Sequence, residues 1–316
     1  MEIIQLQKPL GATKGIAIAL GYFDGLHRGH QGIIENVVAH AKANQLVSAV
    51  MTFSTNPKLF LKKTADTGLL TPMQEKIEVL AHLGVNQLLV LPFDEDMARM
   101  EPESFIETYL LANNVRYVAT GPDFCFGNKG SGNIQLLKQY EGNFQLEVAT
   151  KLEFQDKKIG ATEIKDCLGM GDVVAARDML GRPYGVSGLV IKGNQKGRTI
   201  GFPTANIKVS PDYYLPRPGV YGVEVYLRGH RYHGMCNIGH NPTFNFTGRL
   251  SVEVNLFDFD EDIYGQTLRL EFIKYLRSER KFSSIEDLTG QLERDRFQAR
   301  LLFEELEVAT GQTEAI

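Results

Sequence analysis

Apolar and polar positions in the first half of the chain alternate between two periods. Ile16-Ala17-Ile18-Ala19-Leu20 is an unbroken apolar run of strand length, the pattern of a parallel strand buried on both faces. Gln31–Asn44 follows, with Ile33, Ile34, Val37 and Val38 at helical spacing. Further strands are expected at Leu46–Phe53, Val85–Leu91 and Tyr117–Thr120. One intervening helix starts at Thr71-Pro72-Met73-Gln74, read as a capping box with Thr71 as N-cap, and runs to about Leu83. Another spans Pro102–Asn113, with Phe105, Tyr109 and Leu110 on one face. This βαβα order predicts a doubly wound parallel sheet.

From Tyr184 the pattern changes to strands. Val220–Leu227 is followed by Arg228-Gly229-His230-Arg231, a hairpin signal. Leu250, Val252, Val254 and Leu256 alternate with polar residues, as do Leu268, Leu270 and Phe272. These runs predict a small antiparallel barrel. A terminal helix from Ser284, with Ile285, Leu288 and Leu292 on its apolar face, should pack on it. Between the halves, a helix near Thr162 (its expected N-cap) ends by Gly169, and Asp172 caps another that stops at Gly181-Arg182-Pro183. The boundary is placed there, giving residues 1–181 and 182–316.

The chemistry concentrates at four places. Gly21-Tyr22-Phe23-Asp24-Gly25-Leu26-His27-Arg28-Gly29-His30 joins the first strand to the first helix, where a helix N-terminus attracts phosphate. Gly29 allows close approach, and His27 and His30 can donate to phosphate oxygens; the spacing resembles the HxGH signature of nucleotidyltransferases. The glycine-dense Gly121–Gly132 segment carries Asp123, suited to a substrate hydroxyl or a hydrated metal ion, or simply solvated. Gly160–Lys165 reads either as a helix start or as a phosphate contact. In the second half, Gly197 and Gly201 can wrap a phosphate, with Thr204 and Asn206 as neutral Mg²⁺ donors, and Glu253 can serve as a base. From the residues alone these also read as a Gly/Pro turn and a solvated Glu. Asp258-x-Asp260-x-Asp262 is no calcium loop, since Ile263 and Arg269 stand where Gly and Glu are required.

Composition narrows the classes. At 316 residues and 43% hydrophobic, the chain can bury two cores. A net charge of −4 gives no basic field for nucleic acid, and no apolar run is long enough for a membrane helix. Three scattered cysteines, Cys125, Cys167 and Cys236, predict free, buried or half-buried thiols. The first residues lack the form of a signal peptide, and a cytoplasmic protein is expected. No protein partner is predicted beyond transient self-association.

Together, Gly21–His30, Gly121–Gly132, Gly197–Ile207 with its Gly-Phe-Pro-Thr-Ala-Asn core, Pro218–Tyr221, Asn237–Gly239 with Asn241–Phe244, Val252–Val254, Asp258-Phe259 and Tyr264-Gly265 resemble the bifunctional bacterial FAD synthetases, riboflavin kinase fused to FMN adenylyltransferase. The resemblance covers nearly the whole chain. It implies small-molecule substrates: ATP with Mg²⁺, riboflavin and FMN, with FAD as product. In the N-terminal half it implies catalytic roles for His27 and His30, and ATP or flavin contacts from Gly21, Phe23, Asp24, Gly29, Asp123, Thr162 and Lys165. In the C-terminal half it implies Glu253 as base, Thr204 and Asn206 on Mg²⁺, and contacts from Gly197, Arg198, Gly201, Phe202, Pro203 and Arg277. One departure stands out. The family's Ser-Ser-Thr-x-Ile-Arg is Gly160-Ala161-Thr162-Glu163-Ile164-Lys165 here, and Lys165 lacks arginine's bidentate fork, which implies a weaker phosphate contact and slower FAD formation.

Overall fold

The computed structural model describes residues 1–61, 68–193, 197, 200–239 and 250–313. The chain divides into two compact units, Met1–Glu163 and Ile164–Ile316. The helix Ala161–Met170 begins in the first unit and continues into the second, and the helix Val173–Leu180 lies wholly in the second.

The first unit is a six-stranded sheet in the order β1-β4-β3-β2-β5-β6. Its strands are β1 (Glu2–Gln5), β2 (Ile16–Leu20), β3 (Val47–Phe53), β4 (Gln87–Leu91), β5 (Val115–Thr120) and β6 (Gln145–Val148), and every pairing is parallel. The edge strands β1 and β6 were not visible as periodic runs. Side-chain size in β2 explains the layering. Ile16, Ile18 and Leu20 pack on one face with Phe105, Ile106, Tyr109 and Leu110. The small Ala17 and Ala19 point the other way and let α1 (Arg28–Asn44) lie close, through Ile33, Ile34, Val37 and Ala41.

Two helix expectations are corrected. The segment from Pro102 is α-helical only to Phe105, then a π turn (Ile106–Leu110) and a 3-10 turn (Leu111–Asn113). The helix near Thr71 spans Met73–His82 with Pro72 in the cap position, and Gln74 bonds Glu78 instead of closing a capping box. The Thr71 N–H is taken by Asp24.

That contact belongs to a clamp on the loop after β2. Phe23 and Leu26 adopt positive φ values of 55° and 42°, a strained conformation for such side chains. The Asp24 carboxylate accepts from the Leu70 and Thr71 N–H groups at 2.9 and 3.1 Å. Lys76, almost fully buried, donates to the Tyr22 carbonyl at 2.6 Å and the Thr52 hydroxyl at 3.3 Å. Burial pulls the Lys76 ammonium down to about 8, against the opposing pull of Asp24.

The second unit is a closed barrel, ordered β10-β13-β12-β11-β14-β9, with every pairing antiparallel. After the antiparallel ribbon β7 (Glu153–Phe154) and β8 (Lys157–Lys158) of the first unit, the barrel comprises β9 (Tyr184–Ile191), β10 (Ala205–Val209), β11 (Gly219–Leu227), β12 (His230–Gly239), β13 (Ser251–Leu256) and β14 (Thr267–Arg277). A hairpin does form in the expected place, and its turn is only Arg228-Gly229, both at positive φ, with His230 and Arg231 already in β12. Val252, Val254, Leu268, Leu270 and Phe272 are buried as their alternation required. The terminal helix Ile285–Thr313 lies on the barrel through Ala299 and Phe303; Ile285, expected on the packed face, is 64% exposed. Fully buried Asp295 takes a forked contact from Arg277 on β14 (2.7–3.0 Å) and a bond from Gln291 at 2.7 Å.

Two stability outcomes follow from these clamps. The Lys76 value lies below its ordinary 10.5, so the unfolded chain binds the extra proton between about pH 8 and 10.5 and stability rises with pH there. Lys76→Met removes that slope: in paired urea titrations the wild type should gain on the variant by about 1.4 kcal/mol per pH unit across this window. A pH-independent difference would show that Lys76 keeps its ordinary affinity for protons. Asp295→Ala leaves Arg277 without its partner and should cost about 3 kcal/mol in chemical denaturation; a loss under about 1 kcal/mol would show that the ion pair does not hold the helix.

Candidate active sites

In the first unit the chain turns from β2 to β3 on one side, while β5 lies on the other, so the sheet reverses its winding between β2 and β5. Ligands in open parallel sheets bind outside the carboxyl ends of strands at such a switch point. The Gly21–His30 loop leaves β2 there, and the Gly121–Gly132 loop leaves β5 beside it. The second loop is pinned by Phe126, which bridges to Gly132 and packs on Phe105 and Phe124.

His27 is the N-cap of α1, its Nδ1 accepting the His30 N–H at 3.3 Å. A neutral His27 therefore carries its proton on Nε2. The His27 and His30 rings stack with centroids 3.6 Å apart, and Phe23 meets His30 edge-on at 5.1 Å. A Cβ on Gly29 would press against the His27 ring at 3.3 Å, and one on Gly21 would strike the Phe23 ring at 2.9 Å. These glycines let the loop fold over its own aromatic residues. Among the described residues, His30 Nδ1 is buried with no hydrogen-bond partner. Burial holds His30 well below the usual histidine range, reinforced by the charges of His27, Lys76 and Lys158. The result is a desolvated pair of imidazoles at a helix N-terminus, with the Lys76 and Lys158 charges acting on it.

Sequence reasoning had isolated Asp123, and the structure shows its neighbours. Lys158 reaches one carboxylate oxygen at 2.7 Å and Lys151 the other at 3.0 Å. Thr162, expected as an N-cap, stands instead in the first turn of the helix Ala161–Met170. The Glu163 carboxylate occupies the space that a Cβ at 160 would need, 2.5 Å away. Lys165 lies with its ammonium 5.3 Å from the centre of the Tyr214 ring. Lys76, Lys151 and Lys158 were missed. Lys76 sits four residues before buried Leu80, a core-facing helical position that could have drawn attention to it.

In the second unit, Asn206 on β10 pairs directly with Glu253 on β13, which in turn pairs with Asn237 on β12. These residues lie on the outer wall of the barrel, opposite buried Val252 and Val254. Glu253 does point away from the barrel interior, but into a cavity of about 290 Å³ whose lining includes Leu288 and Leu292 of the terminal helix. Thr204, Asn255, Asn237, Arg277 and Phe282 also line it. A second recess of about 110 Å³ is lined by Pro203, Asp260, Asp262 and Tyr264, and Thr204 stands in the wall of both. Asn206 stands in the wall of neither recess; its side chain lies against Gly193, where a Cβ would come within 2.2 Å of it.

The supporting contacts are local. Gly197 lies against the Phe202 carbonyl, where a Cβ would come within 2.2 Å, and Gly201 turns at φ 78°. Phe202 is buried beneath Arg296, and the Pro203 carbonyl accepts from Asn255 at 2.7 Å. Arg198 and Asn241–Phe244 lie outside the described residues. All three cysteines are free; Cys125 is exposed, contrary to expectation, and Cys236 is buried. Burial, aided by Glu253, raises the Cys236 thiol far above its ordinary value, so it is no nucleophile. Among the described residues no cluster of His, Cys, Asp and Glu could hold a metal unaided, and no helix is long and apolar enough to cross a membrane.

Known proteins match this arrangement segment by segment. The FAD synthetase family model matches residues 11–163, and the riboflavin kinase model residues 180–303. A Bacillus subtilis bifunctional riboflavin kinase/FMN adenylyltransferase is 41% identical over 92% of this chain and 93% of its own. The Escherichia coli K12 protein of the same description is 32% identical over 92% and 93%. A crystal structure from Streptococcus pneumoniae, described as a macrolide-efflux protein, superposes with a TM-score of 0.87 at 32% identity, covering 95% of this chain and 99% of that one. With both segments present, in this order and over nearly its whole length, the chain belongs to the family of bifunctional riboflavin kinase/FMN adenylyltransferases.

Proposed function

We propose that residues 182–316 phosphorylate riboflavin to FMN and residues 1–181 adenylylate FMN to FAD, each with ATP. The observation that carries this reading is Thr204, which stands in the wall of both recesses of the second unit. A nucleotide in the polar recess and a flavin in the larger, more apolar one would meet at that residue. Glu253 accepts the proton of the terminal ribityl hydroxyl as its oxygen attacks the γ-phosphorus, and ADP leaves. Arg277, fixed by Asp295, lines the flavin cavity with Gly197 and Phe202, and Pro203, after the Gly201 turn, lines the smaller recess.

Mg²⁺ fits the donors present. The Thr204 hydroxyl and the Asn206 carboxamide would be its neutral oxygen ligands, and the remaining ligands would come from nucleotide phosphates and water. When bound, the ion offsets phosphate charge during transfer.

In the first unit, a phosphate oxygen of FMN attacks the α-phosphorus of ATP and pyrophosphate leaves. No enzyme nucleophile is needed. His27 Nε2, His30 and the N–H groups opening α1 receive the phosphate oxygens, with Gly29 allowing close approach, while Gly21, Phe23 and Asp24 hold the loop. Thr162 joins them as a nucleotide contact. Burial keeps His30 neutral near pH 7, so it acts as a hydrogen-bond donor until the polyphosphate supplies negative charge. The reactions are assigned to the cytoplasm.

His30→Ala should lower FAD formation from FMN by about 10²–10³-fold and leave riboflavin phosphorylation intact. Glu253→Gln should lower riboflavin phosphorylation by about 10²–10⁴-fold and leave FMN adenylylation intact. Chromatographic separation of flavins over time reads both. Equal loss of both activities in either variant would refute the division of labour.

A further inference from the structure

The terminal helix (Ile285–Thr313) rests on the barrel through Ala299 and Phe303. Its opposite side is not the polar surface that an amphipathic helix gives to water. Phe297 is 70% exposed, the most of any large apolar side chain among the described residues. Val308 is 61% exposed, and Leu301 is exposed as well. With 3.6 residues per turn the three fall within about 40° of one another around the helix, a single narrow stripe. Gly290 lies on the same line, two turns before Phe297. A Cβ there would meet nothing nearer than the Arg294 Nη1 at 3.8 Å, so packing within the chain does not call for glycine, although glycine weakens a helix interior. Arg294 and Glu304 flank the stripe, both exposed, and Arg294 is hydrogen-bonded to the neutral Gln291 carboxamide.

We propose that this face pairs two copies of the chain, helix against helix, antiparallel about a two-fold axis at the level of Ala299. That register sets Phe297 against the partner's Leu301, Arg294 against the partner's Glu304, and Gly290 against the partner's Val308. Each contact occurs twice, as an isologous interface requires. Large apolar side chains meet, a cation meets a carboxylate, and the valine enters the space left by the glycine. Parallel pairing would instead oppose Arg294 to Arg294 and Glu304 to Glu304. The missing Gly290 side chain lets the second helix approach closely, and a shallow crossing of about 20° keeps the contact over about 27 Å of helix. A single helix-on-helix contact of that length buries less than the roughly 1,200 Å² of a stable complex, so the dimer is weak and depends on concentration. The barrel-packed face is untouched, and the pairing does not depend on the reactions assigned above.

Sedimentation velocity of the full chain, from micromolar to near-millimolar concentration, should show a monomer–dimer equilibrium. Phe297→Asp should raise its dissociation constant at least about tenfold. Gly290→Gln should do the same, while a better helix former at an open position leaves the chain unfolding at the same or a higher urea concentration. That combination separates a lost contact from a damaged fold. Arg294→Glu should weaken the dimer, and adding Glu304→Arg to it should restore most of the affinity, because the antiparallel register then again opposes unlike charges. A monomer at every concentration would overturn the proposal. So would a dimer that tolerates both Phe297→Asp and Gly290→Gln, since it would use another surface. A double charge exchange that dimerises no better than Arg294→Glu alone would refute the antiparallel register.

Discussion

The first unit depends on how tightly α1 can approach β2. Ala17 and Ala19 bring the helix down onto the sheet, which aims its N-terminal N–H groups at the edge where the winding reverses. The turn between them must be sharp, and the chain accepts two non-glycine residues at positive φ to make it. The Asp24 bonds and the buried Lys76 ammonium hold that turn in place. The same lysine adds positive field beside His30. Structure and electrostatics are therefore coupled: the group that fixes the loop also sets the charge around His30.

The second unit solves a different problem. Closing a six-stranded barrel fills its interior with alternating apolar side chains and leaves no room there for a ligand. The candidate site residues consequently occupy the outer wall, where the register sets Asn206 beside Glu253 and Asn237. The terminal helix, anchored by the Arg277–Asp295 fork, turns that wall into a cavity. A carboxylate that would be solvated on an open sheet becomes half-enclosed next to an apolar lining.

Much of this was legible where periodicity and chemistry coincide. The β2 run, the α1 face, the Arg228-Gly229 hairpin and the alternating barrel strands were readable because each buries one face of a regular element. Edge strands β1 and β6 were not, since an edge strand has less need of a continuous apolar run. Thr71 looked like a cap because its sequence neighbours fit a capping box; a distant Asp24 claimed its N–H instead. Ile285 looked like core at helical spacing, yet the packed face is set farther along by Asp295, Ala299 and Phe303. Motif spacing singled out His27, His30, Thr204, Asn206 and Glu253 as candidates. Lys76, Lys151 and Lys158 escaped because what they do depends on tertiary partners.

The central claim is that one chain holds two independent transferase sites joined by a diffusible product. The most direct test mixes two inactive halves: His30→Ala chain, which should stop at FMN, with Glu253→Gln chain, which should act only on FMN. Given riboflavin and MgATP, each alone should yield little FAD, and the equimolar mixture should form it after a lag while FMN accumulates. A mixture that makes no more FAD than its components, although the Glu253→Gln chain converts added FMN, would contradict the account.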